Sequence, residues 1–265
     1  MAPLSNKVVV ITGGASGIGL ATARRFVDGG ATVVITSRRD STDIAKQIGA
    51  HSIQSDVSRE ADVRECMSAV AAQYGRIDSV VCSAGAFVNP THSTELTTEA
   101  MMACYTVNTL AVVYAIKHTV PHMPSGGSFV IVTSLAARMT IAGYGAYAAS
   151  KAATSALVRT AALELGPRGI RINEVAPSSV DTPMLRSQNN ADEEIALTVK
   201  MAPLGRMALA EEVGSVVEFL ASTAGSGMTG QQLTVDCGQS AGVSDAIMDS
   251  LLAVESQLPL SRTAR

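Results

Sequence analysis

Three side chains between positions 134 and 151 are suited to exchange a proton with a carbonyl oxygen. Tyr147 and Lys151 are four residues apart in a helical run of small residues, which puts both on one helix face. A free phenol has a pKa of about 10, and a neighbouring ammonium is expected to lower it toward neutrality. Ser134 ends an apolar, strand-like run, and its hydroxyl is a donor for the same oxygen. The set is typical of acid–base chemistry on a carbonyl, although the Tyr–Lys spacing alone also occurs on ordinary helix surfaces.

A glycine-rich segment near the N-terminus has the sequence context of a phosphate-binding turn. Residues 7–12 form an apolar run of strand length, and a helical pattern over residues 20–27 follows the glycines. Bare backbone can approach a pyrophosphate there, and the helix N-terminus adds partial positive charge. The spacing is G-x-x-x-G-x-G, not the common G-x-G-x-x-G, so a purely structural turn stays open at this point. The residues predicted to bind the phosphates are Gly13, Ser16, Gly17, Ile18 and Gly19.

The end of the second predicted strand indicates which dinucleotide is preferred. Ser37, Arg38 and Arg39 stand 18 to 20 residues beyond Gly19. A carboxylate at this place would hydrogen-bond the ribose of NAD, whereas an arginine would pair with the 2′-phosphate of NADP. The first acid is Asp40. We therefore expect NADP(H) as the cofactor, with NAD(H) as the less favoured alternative. The arginines could also be solvated surface residues without a role in binding.

Further candidates for the same site follow later strands. Asp56 comes after the third predicted strand, where it either faces an adenine ring or caps the next helix. Ala84 and Gly85 follow the fourth strand, and their small size suits a place where backbone meets a ligand. Asn108 lies inside a long apolar helix, where it makes either an internal hydrogen bond or a functional one.

The order of these segments predicts an α/β fold with a doubly wound parallel sheet of Rossmann type, in a single domain over residues 1–240. Ligands of such sheets bind at the carboxyl ends of the strands, where Ser134 and the glycine turn are placed. The periodic pattern is lost across residues 184–207, which predicts an irregular lid or binding loop. Residues 241–265 form a tail with helical apolar spacing, predicted to pack over that loop or a neighbouring subunit.

Composition argues against several classes of function. Apolar residues make up 47% and charged residues 16% of the 265, which is typical of a globular chain. A net charge of -3 without a basic stripe argues against binding nucleic acid or a membrane. No apolar run approaches the ~18 residues of a membrane span and no signal segment is apparent, so a cytoplasmic location is expected. No metal site is predicted, because the cysteines are scattered and His118 and His122 lack a third ligand.

Together these features resemble the short-chain dehydrogenase/reductase family over residues 4 to about 240. The matching residues are Thr12, Gly13, Gly17 and Gly19 of its TGxxxGxG cofactor motif, its catalytic set Asn108, Ser134, Tyr147 and Lys151, its adenine-contacting pair Asp56 and Val57, and Val180 and Thr182 at the nicotinamide end. The chain departs from the family at Cys82 and Ser83, where the family has two asparagines, and at Ser178, where it has glycine.

The resemblance implies an NADP(H)-dependent oxidoreductase that interconverts a ketone and a secondary alcohol, with Tyr147 as general acid or base. Ser134 would hydrogen-bond the substrate oxygen, and Asn108 would hold a water of the proton relay. Lys151 would bind the nicotinamide ribose and lower the pKa of Tyr147, and both residues would thus also contact the cofactor. A homotetramer or dimer acting on a small molecule is implied. The alternatives are an NAD-dependent alcohol dehydrogenase and a non-catalytic NADP(H)-binding sensor.

Overall fold

A parallel β-sheet runs through the part of the chain that the structure, a computed structural model, describes: residues 4–243 and Met248. Its seven strands are β1 (Val8–Thr12), β2 (Thr32–Ser37), β3 (His51–Gln54), β4 (Ser79–Cys82), β5 (Ser128–Val132), β6 (Arg171–Pro177) and β7 (Gln232–Val235). The strand order is β3-β2-β1-β4-β5-β6-β7. The chain therefore builds outward from β1 in one direction and then in the other, which is the predicted doubly wound topology.

Helices cover both faces of the sheet. They are α1 (Gly17–Asp28), α2 (Thr42–Ile48), α3 (Glu60–Tyr74), α4 (Thr98–Tyr105), α5 (Ala111–Thr119), α6 (Gly145–Leu165), α7 (Pro183–Arg186), α8 (Ala191–Met201) and α9 (Ala210–Ala221). Apolar side chains of α3, α5 and α6 share one buried cluster with the sheet, and those of α1 and α9 share a second. Because both faces are covered, β1, β4 and β5 are buried along their whole length, which explains their continuous apolar sequence.

The long apolar helix predicted over residues 100–118 contains a π-helical segment, Thr106–Leu110, between α4 and α5. The continuous helical segment Thr98–His122 has 25 residues and a mean hydropathy of 1.3 over its 18-residue window. By length and composition alone it is long and apolar enough to cross a membrane, so the expectation that no stretch approaches that length was wrong. Core helices of soluble proteins pass the same test, and α5 buries Val112 and Ala115 in the core.

The prediction of an irregular loop over residues 184–207 was also wrong. This stretch contains most of α7 and all of α8. Pro183 begins α7, and the Thr182 hydroxyl accepts a hydrogen bond from the Leu185 amide. The three acids Asp192, Glu193 and Glu194 lie in the first turn of α8, where negative charge complements the helix dipole. The tail predicted from residue 241 onward lies outside the described residues, apart from positions 241–243 and 248.

Candidate active site

The carboxyl ends of four strands bring the predicted site segments together at one edge of the sheet. The glycine turn after β1 lies directly against the segments after β4 and β6. A Cβ atom added to Gly13 would lie 2.8 Å from the Ala84 Cα, and one added to Gly17 would lie 3.1 Å from the Thr182 Cγ2. Gly85 faces the catalytic candidates, since its Cβ would lie 3.9 Å from the Lys151 Nζ. Residues distant in sequence therefore line one cleft.

Tyr147 and Lys151 lie in the first turns of α6, on one helix face, as their spacing requires. The Lys151 Nζ is 5.8 Å from the centre of the Tyr147 ring. Lys151 is almost fully buried and donates a hydrogen bond to the main-chain carbonyl of Val132 at 2.9 Å. The Ser134 hydroxyl, two residues beyond β5, accepts from the Ala136 amide at 3.1 Å, which leaves its proton for donation on the Tyr147 side.

The expectation that Lys151 lowers the pKa of Tyr147 does not hold in this structure. Burial raises the pKa of Tyr147 to about 12, the Ser134 hydroxyl opposes this rise, and negative charge at Glu194 and Cys104 adds to it. Burial also lowers the pKa of Lys151 to about 8. The physical reason is that both groups are desolvated together, and desolvation disfavours the phenolate as well as the ammonium.

Asn108 lies in the π-helical segment, and its side chain fastens neighbouring segments to one another. Its Oδ1 accepts from the Ala86 amide at 2.8 Å, and its Nδ2 donates to the Ala86 carbonyl at 2.9 Å. The second Nδ2 proton goes to the Ser150 hydroxyl at 2.9 Å. Its main-chain carbonyl accepts from Thr154 at 2.9 Å. Both amide protons are thus used within the protein, which is the internal role that the sequence left open, and a water held by Asn108 stays a prediction.

Replacing Asn108 by alanine is expected to lower the free energy of unfolding by about 1–3 kcal/mol, the usual cost of leaving buried polar partners unsatisfied. The amide and carbonyl of Ala86 would lose this partner, and the Ser150 hydroxyl would lose the donor from Asn108 while keeping its bond to the Tyr147 carbonyl. Urea denaturation measures the change. Asn89→Ala is the matched control, since Asn89 is exposed in the loop that contains Ala86. Equal stability of the two variants would contradict this role of Asn108.

An aromatic cluster beside Tyr147 was not found by the sequence analysis. The Phe87 ring packs edge-on against Tyr147 at 5.2 Å and against Tyr144 at 4.9 Å between ring centres. The buried Tyr144 hydroxyl donates to the Glu194 carboxylate, and the Gln188 Oε1 lies 3.2 Å from the same hydroxyl oxygen. Tyr144 precedes Tyr147 by three residues and so shares its face, a signal the sequence did contain. Glu194 comes from α8, and no local pattern pointed to it.

The glycine turn fits the pyrophosphate of a dinucleotide. Gly13 and Gly17 have positive φ angles of 68° and 52°, which favour glycine. A Cβ at Gly19 would lie 2.2 Å from the Gly13 carbonyl oxygen, so the first turn of α1 leaves no room for a side chain there. Ser16 stands at the N-cap of α1 without a side-chain capping bond, and Ile18 follows in the first turn. The free amides of this N-terminus and the Ser16 hydroxyl are suitable donors to phosphate oxygens.

At the end of β2, two arginines are exposed and the nearby acid is engaged. The Ser37 hydroxyl donates to the Arg39 carbonyl, and the Gln54 side chain donates to the Arg38 carbonyl at 2.9 Å. Asp40 accepts from the amide and the hydroxyl of Thr42 at 2.9 and 2.6 Å. These two bonds lower the pKa of Asp40, so it stays a carboxylate at the start of α2.

The remaining cofactor candidates follow β3 and β6. Asp56 accepts from the amide and hydroxyl of Ser58 at 3.0 and 2.7 Å, so it closes the turn before α3 with one oxygen. Burial would raise the pKa of Asp56, but these hydrogen bonds and the charge of Arg38 lower it. Val57 and Val180 are buried, and Val180 pairs with Ala208 through an isolated bridge. An adenine contact of Asp56 stays a prediction.

His118 contacts an acidic residue on a neighbouring helix. The His118 Nε2 lies 3.0 Å from the Glu60 Oε1, where Lys117 also bonds the same oxygen at 2.8 Å. Within residues 4–243 and Met248, no group of three histidine, cysteine or acidic side chains is placed to hold a metal ion.

Comparisons with known proteins agree with this geometry. A family model described as enoyl-(acyl carrier protein) reductase matches residues 13–240. The short-chain dehydrogenase reductase ATA1 of Arabidopsis thaliana is 34% identical over 258 residues, which cover 91% of this chain and 95% of that protein. The cis-4-hydroxycyclohexanecarboxylate dehydrogenase of Sinomonas cyclohexanicum is 35% identical over 245 residues, covering 89% and 98%. The ligand-free structure of Thermoplasma acidophilum aldohexose dehydrogenase has a TM-score of 0.84 at 31% identity, covering 91% and 97%.

These matches extend over nearly the whole described chain and include the glycine turn and the Ser134, Tyr147 and Lys151 positions. The chain therefore belongs to the short-chain dehydrogenase/reductase family, whose members are nicotinamide-dependent oxidoreductases of alcohol and carbonyl groups.

Proposed function

We propose that this protein interconverts a ketone and a secondary alcohol with NADP(H) as its cofactor. One observation carries the proposal: Tyr147, Lys151 and Ser134 meet at the carboxyl edge of the sheet, beside a glycine turn shaped for a pyrophosphate. A phenol, an ammonium and a hydroxyl around one cleft can hold a carbonyl oxygen and exchange a proton with it. A sensor without turnover would not need this set.

Each residue has a distinct task in the proposed reaction. The nicotinamide, when bound, supplies hydride in one direction and accepts it in the other. Tyr147 gives its phenolic proton to the substrate oxygen during reduction and takes the hydroxyl proton during oxidation. The Ser134 hydroxyl hydrogen-bonds that oxygen and stabilises its developing charge. Lys151 uses one N–H on the Val132 carbonyl. Its other two N–H groups are available to the ribose hydroxyls of the cofactor.

The preference for NADP(H) over NAD(H) follows from charges at the end of β2. Arg38 and Arg39 are exposed and form no ion pair with other described residues. Guanidinium groups suit the two-pronged binding of a phosphate. Asp40, which could serve an NAD ribose instead, already accepts two hydrogen bonds from Thr42.

The proposed substrate is a small carbonyl compound and not an acyl chain on an acidic carrier protein. Acidic residues cluster beside the cleft, at Asp181 and in the first turn of α8, and Arg186 is paired with Asp181 and Asp192. Such a surface would repel an acidic carrier. The description of the matching family model is therefore not carried over to the substrate of this chain.

We also propose that the protein assembles as a homodimer or homotetramer through α4, α5 and α6. Apolar side chains project from these helices: Met102, Tyr105, Val113 and Leu163, the last of them 81% exposed. Burying them against a second copy removes apolar area from water. Light scattering should give a mass of two or four chains, and a monomer would contradict this part of the proposal.

The direct test of the function is a panel of ketones and secondary alcohols assayed with NADPH, NADP⁺, NADH and NAD⁺. We expect turnover of at least one ketone with NADPH and of its alcohol with NADP⁺. NADPH fluorescence would establish cofactor binding independently of turnover. Binding without turnover of any compound would favour the sensor, and faster turnover with NADH would favour the NAD-dependent alternative.

A further inference from the structure

Glu194, in the first turn of α8, connects three walls of the cleft. One carboxylate oxygen accepts a hydrogen bond from the Ser179 hydroxyl, in the segment after β6. The other accepts from the Tyr144 hydroxyl, which stands at the start of α6. α8 is thus fastened to both the catalytic helix and the segment next to the nicotinamide end by one side chain.

This contact lies one helical turn from the proposed proton donor. Tyr144 precedes Tyr147 by three residues, and the Phe87 ring packs against both tyrosine rings at 4.9 and 5.2 Å. The Tyr144 side chain is buried, and Gln188 from the segment between α7 and α8 meets the same hydroxyl at 3.2 Å. A displacement of α8 would therefore be transmitted to the wall of the catalytic pocket through Tyr144.

The Glu194 carboxylate is half-buried and is held by hydroxyl groups, without an ion pair to any cation of the described residues. The nearest candidates on neighbouring elements are engaged elsewhere. Arg186 bonds Asp181 at 2.8 Å and contacts Asp192 at 3.5 Å, and Lys151 donates to the Val132 carbonyl. Hydrogen bonds to a charged acceptor are stronger than neutral ones, so the two hydroxyls are sufficient to hold α8 against α6 and the segment after β6.

We propose that Glu194 is a positioning residue that holds α8 closed over the substrate end of the cleft through Tyr144 and Ser179. This rests on the proposed function for its effect on substrate, but the contact itself is independent of turnover. The carboxylate needs two acceptor oxygens for this task. Glutamine retains one acceptor and replaces the other by an amide nitrogen, which can only donate to the second hydroxyl, so both contacts lose their charge-assisted character.

The charge of Glu194 has a second consequence that a merely structural contact would lack. The ionisable groups around the Tyr147 phenol are Lys151 on its own helix, Cys104 on α4, Tyr144 and Glu194. The carboxylate of Glu194 disfavours the phenolate. Removing the charge of Glu194 is therefore expected to lower the pKa of Tyr147. The rate of alcohol oxidation, which increases with pH as Tyr147 deprotonates, should then increase at lower pH.

The test compares Glu194→Gln with Glu193→Gln. Glu193 is exposed on the same helix turn, so the control makes the same charge change without touching the hydroxyls. In the cofactor-bound protein we expect amide hydrogen exchange of residues 191–201 to be about tenfold faster in Glu194→Gln than in wild type or control. We also expect KM for the ketone to rise about tenfold with a smaller change in kcat, and KM for NADPH to stay within twofold.

A double-mutant cycle with Tyr144→Phe locates the coupling. If Glu194 acts through the Tyr144 hydroxyl, the double variant should lose less than the product of the two single losses in kcat/KM. The proposal would be overturned if Glu194→Gln had the same amide exchange rates, the same KM and the same pH profile as Glu193→Gln. If the wild-type protein turned over no ketone, the proposed function would fail, and the exchange comparison would still decide whether Glu194 holds α8.

Discussion

Replacing Tyr147 by phenylalanine is expected to lower kcat/KM by at least about 100-fold, the usual scale of general acid–base catalysis. The substitution removes only the hydroxyl that exchanges a proton with the substrate. The ring would keep its contact with Phe87 and its place on α6, so shape and packing are preserved. Steady-state kinetics with one ketone and NADPH measures the loss.

Two controls separate chemistry from folding in this experiment. NADPH fluorescence titration should give a dissociation constant within about threefold of wild type, because the glycine turn is untouched. Tyr114→Phe makes the same chemical change on α5, where the ring packs against the core away from the cleft. Its activity should equal that of wild type. A Tyr147→Phe variant within threefold of wild type would remove Tyr147 from the proton-transfer role.

The double substitution Ser37→Asp with Arg38→Leu is expected to reverse the cofactor preference from NADP(H) to NAD(H). The new carboxylate would repel the 2′-phosphate and accept hydrogen bonds from the ribose hydroxyls, and the loss of Arg38 removes a phosphate donor. A charge-assisted hydrogen bond is worth about 1.5–3 kcal/mol, so the ratio of kcat/KM values should move by ten- to a hundredfold or more. The measurement uses both cofactors with one substrate.

The matched control removes an arginine that is remote from the end of β2. Arg64→Leu on α3 takes away an exposed guanidinium that pairs weakly with Glu65 at 3.7 Å. The cofactor ratio should stay at its wild-type value in this variant. A native enzyme that uses NADH as efficiently as NADPH would contradict the NADP(H) assignment. The Asp40→Asn variant would then test whether the Asp40 carboxylate hydrogen-bonds the ribose of NAD(H) instead of Thr42.

Local sequence was sufficient wherever geometry is set by the residues next to one another. The four-residue interval between Tyr147 and Lys151 fixes their common face in any helix, and the burial of β1 follows from its unbroken apolar run. A strand followed directly by small residues predicted that Ser134 and the glycine turn would lie at the carboxyl edge of the sheet. These features concern chain segments of a few residues, and the fold class follows from their alternation.

The sequence was insufficient for residues 184–207, where two short helices replace the predicted loop. Neither α7 nor α8 presents a broad apolar stripe, because α8 buries only Thr198 and α7 buries only Leu185. Their helical form depends on capping at Thr182 and on contacts with the rest of the site. Apolar periodicity in a sequence indicates that one face of a helix is buried. A helix that buries few side chains therefore cannot be recognised from this pattern.

By itself the sequence determined the family, the doubly wound sheet and the residues that could do chemistry. Only the tertiary structure decided how those residues are charged and held. The pKa of Tyr147 rises because burial outweighs its neighbours, and burial is a property of the whole fold. The amide of Asn108 is satisfied by Ala86 and Ser150, and Glu194 reaches Tyr144 and Ser179 from another helix. Such contacts join residues far apart along the chain, and no local pattern encodes them.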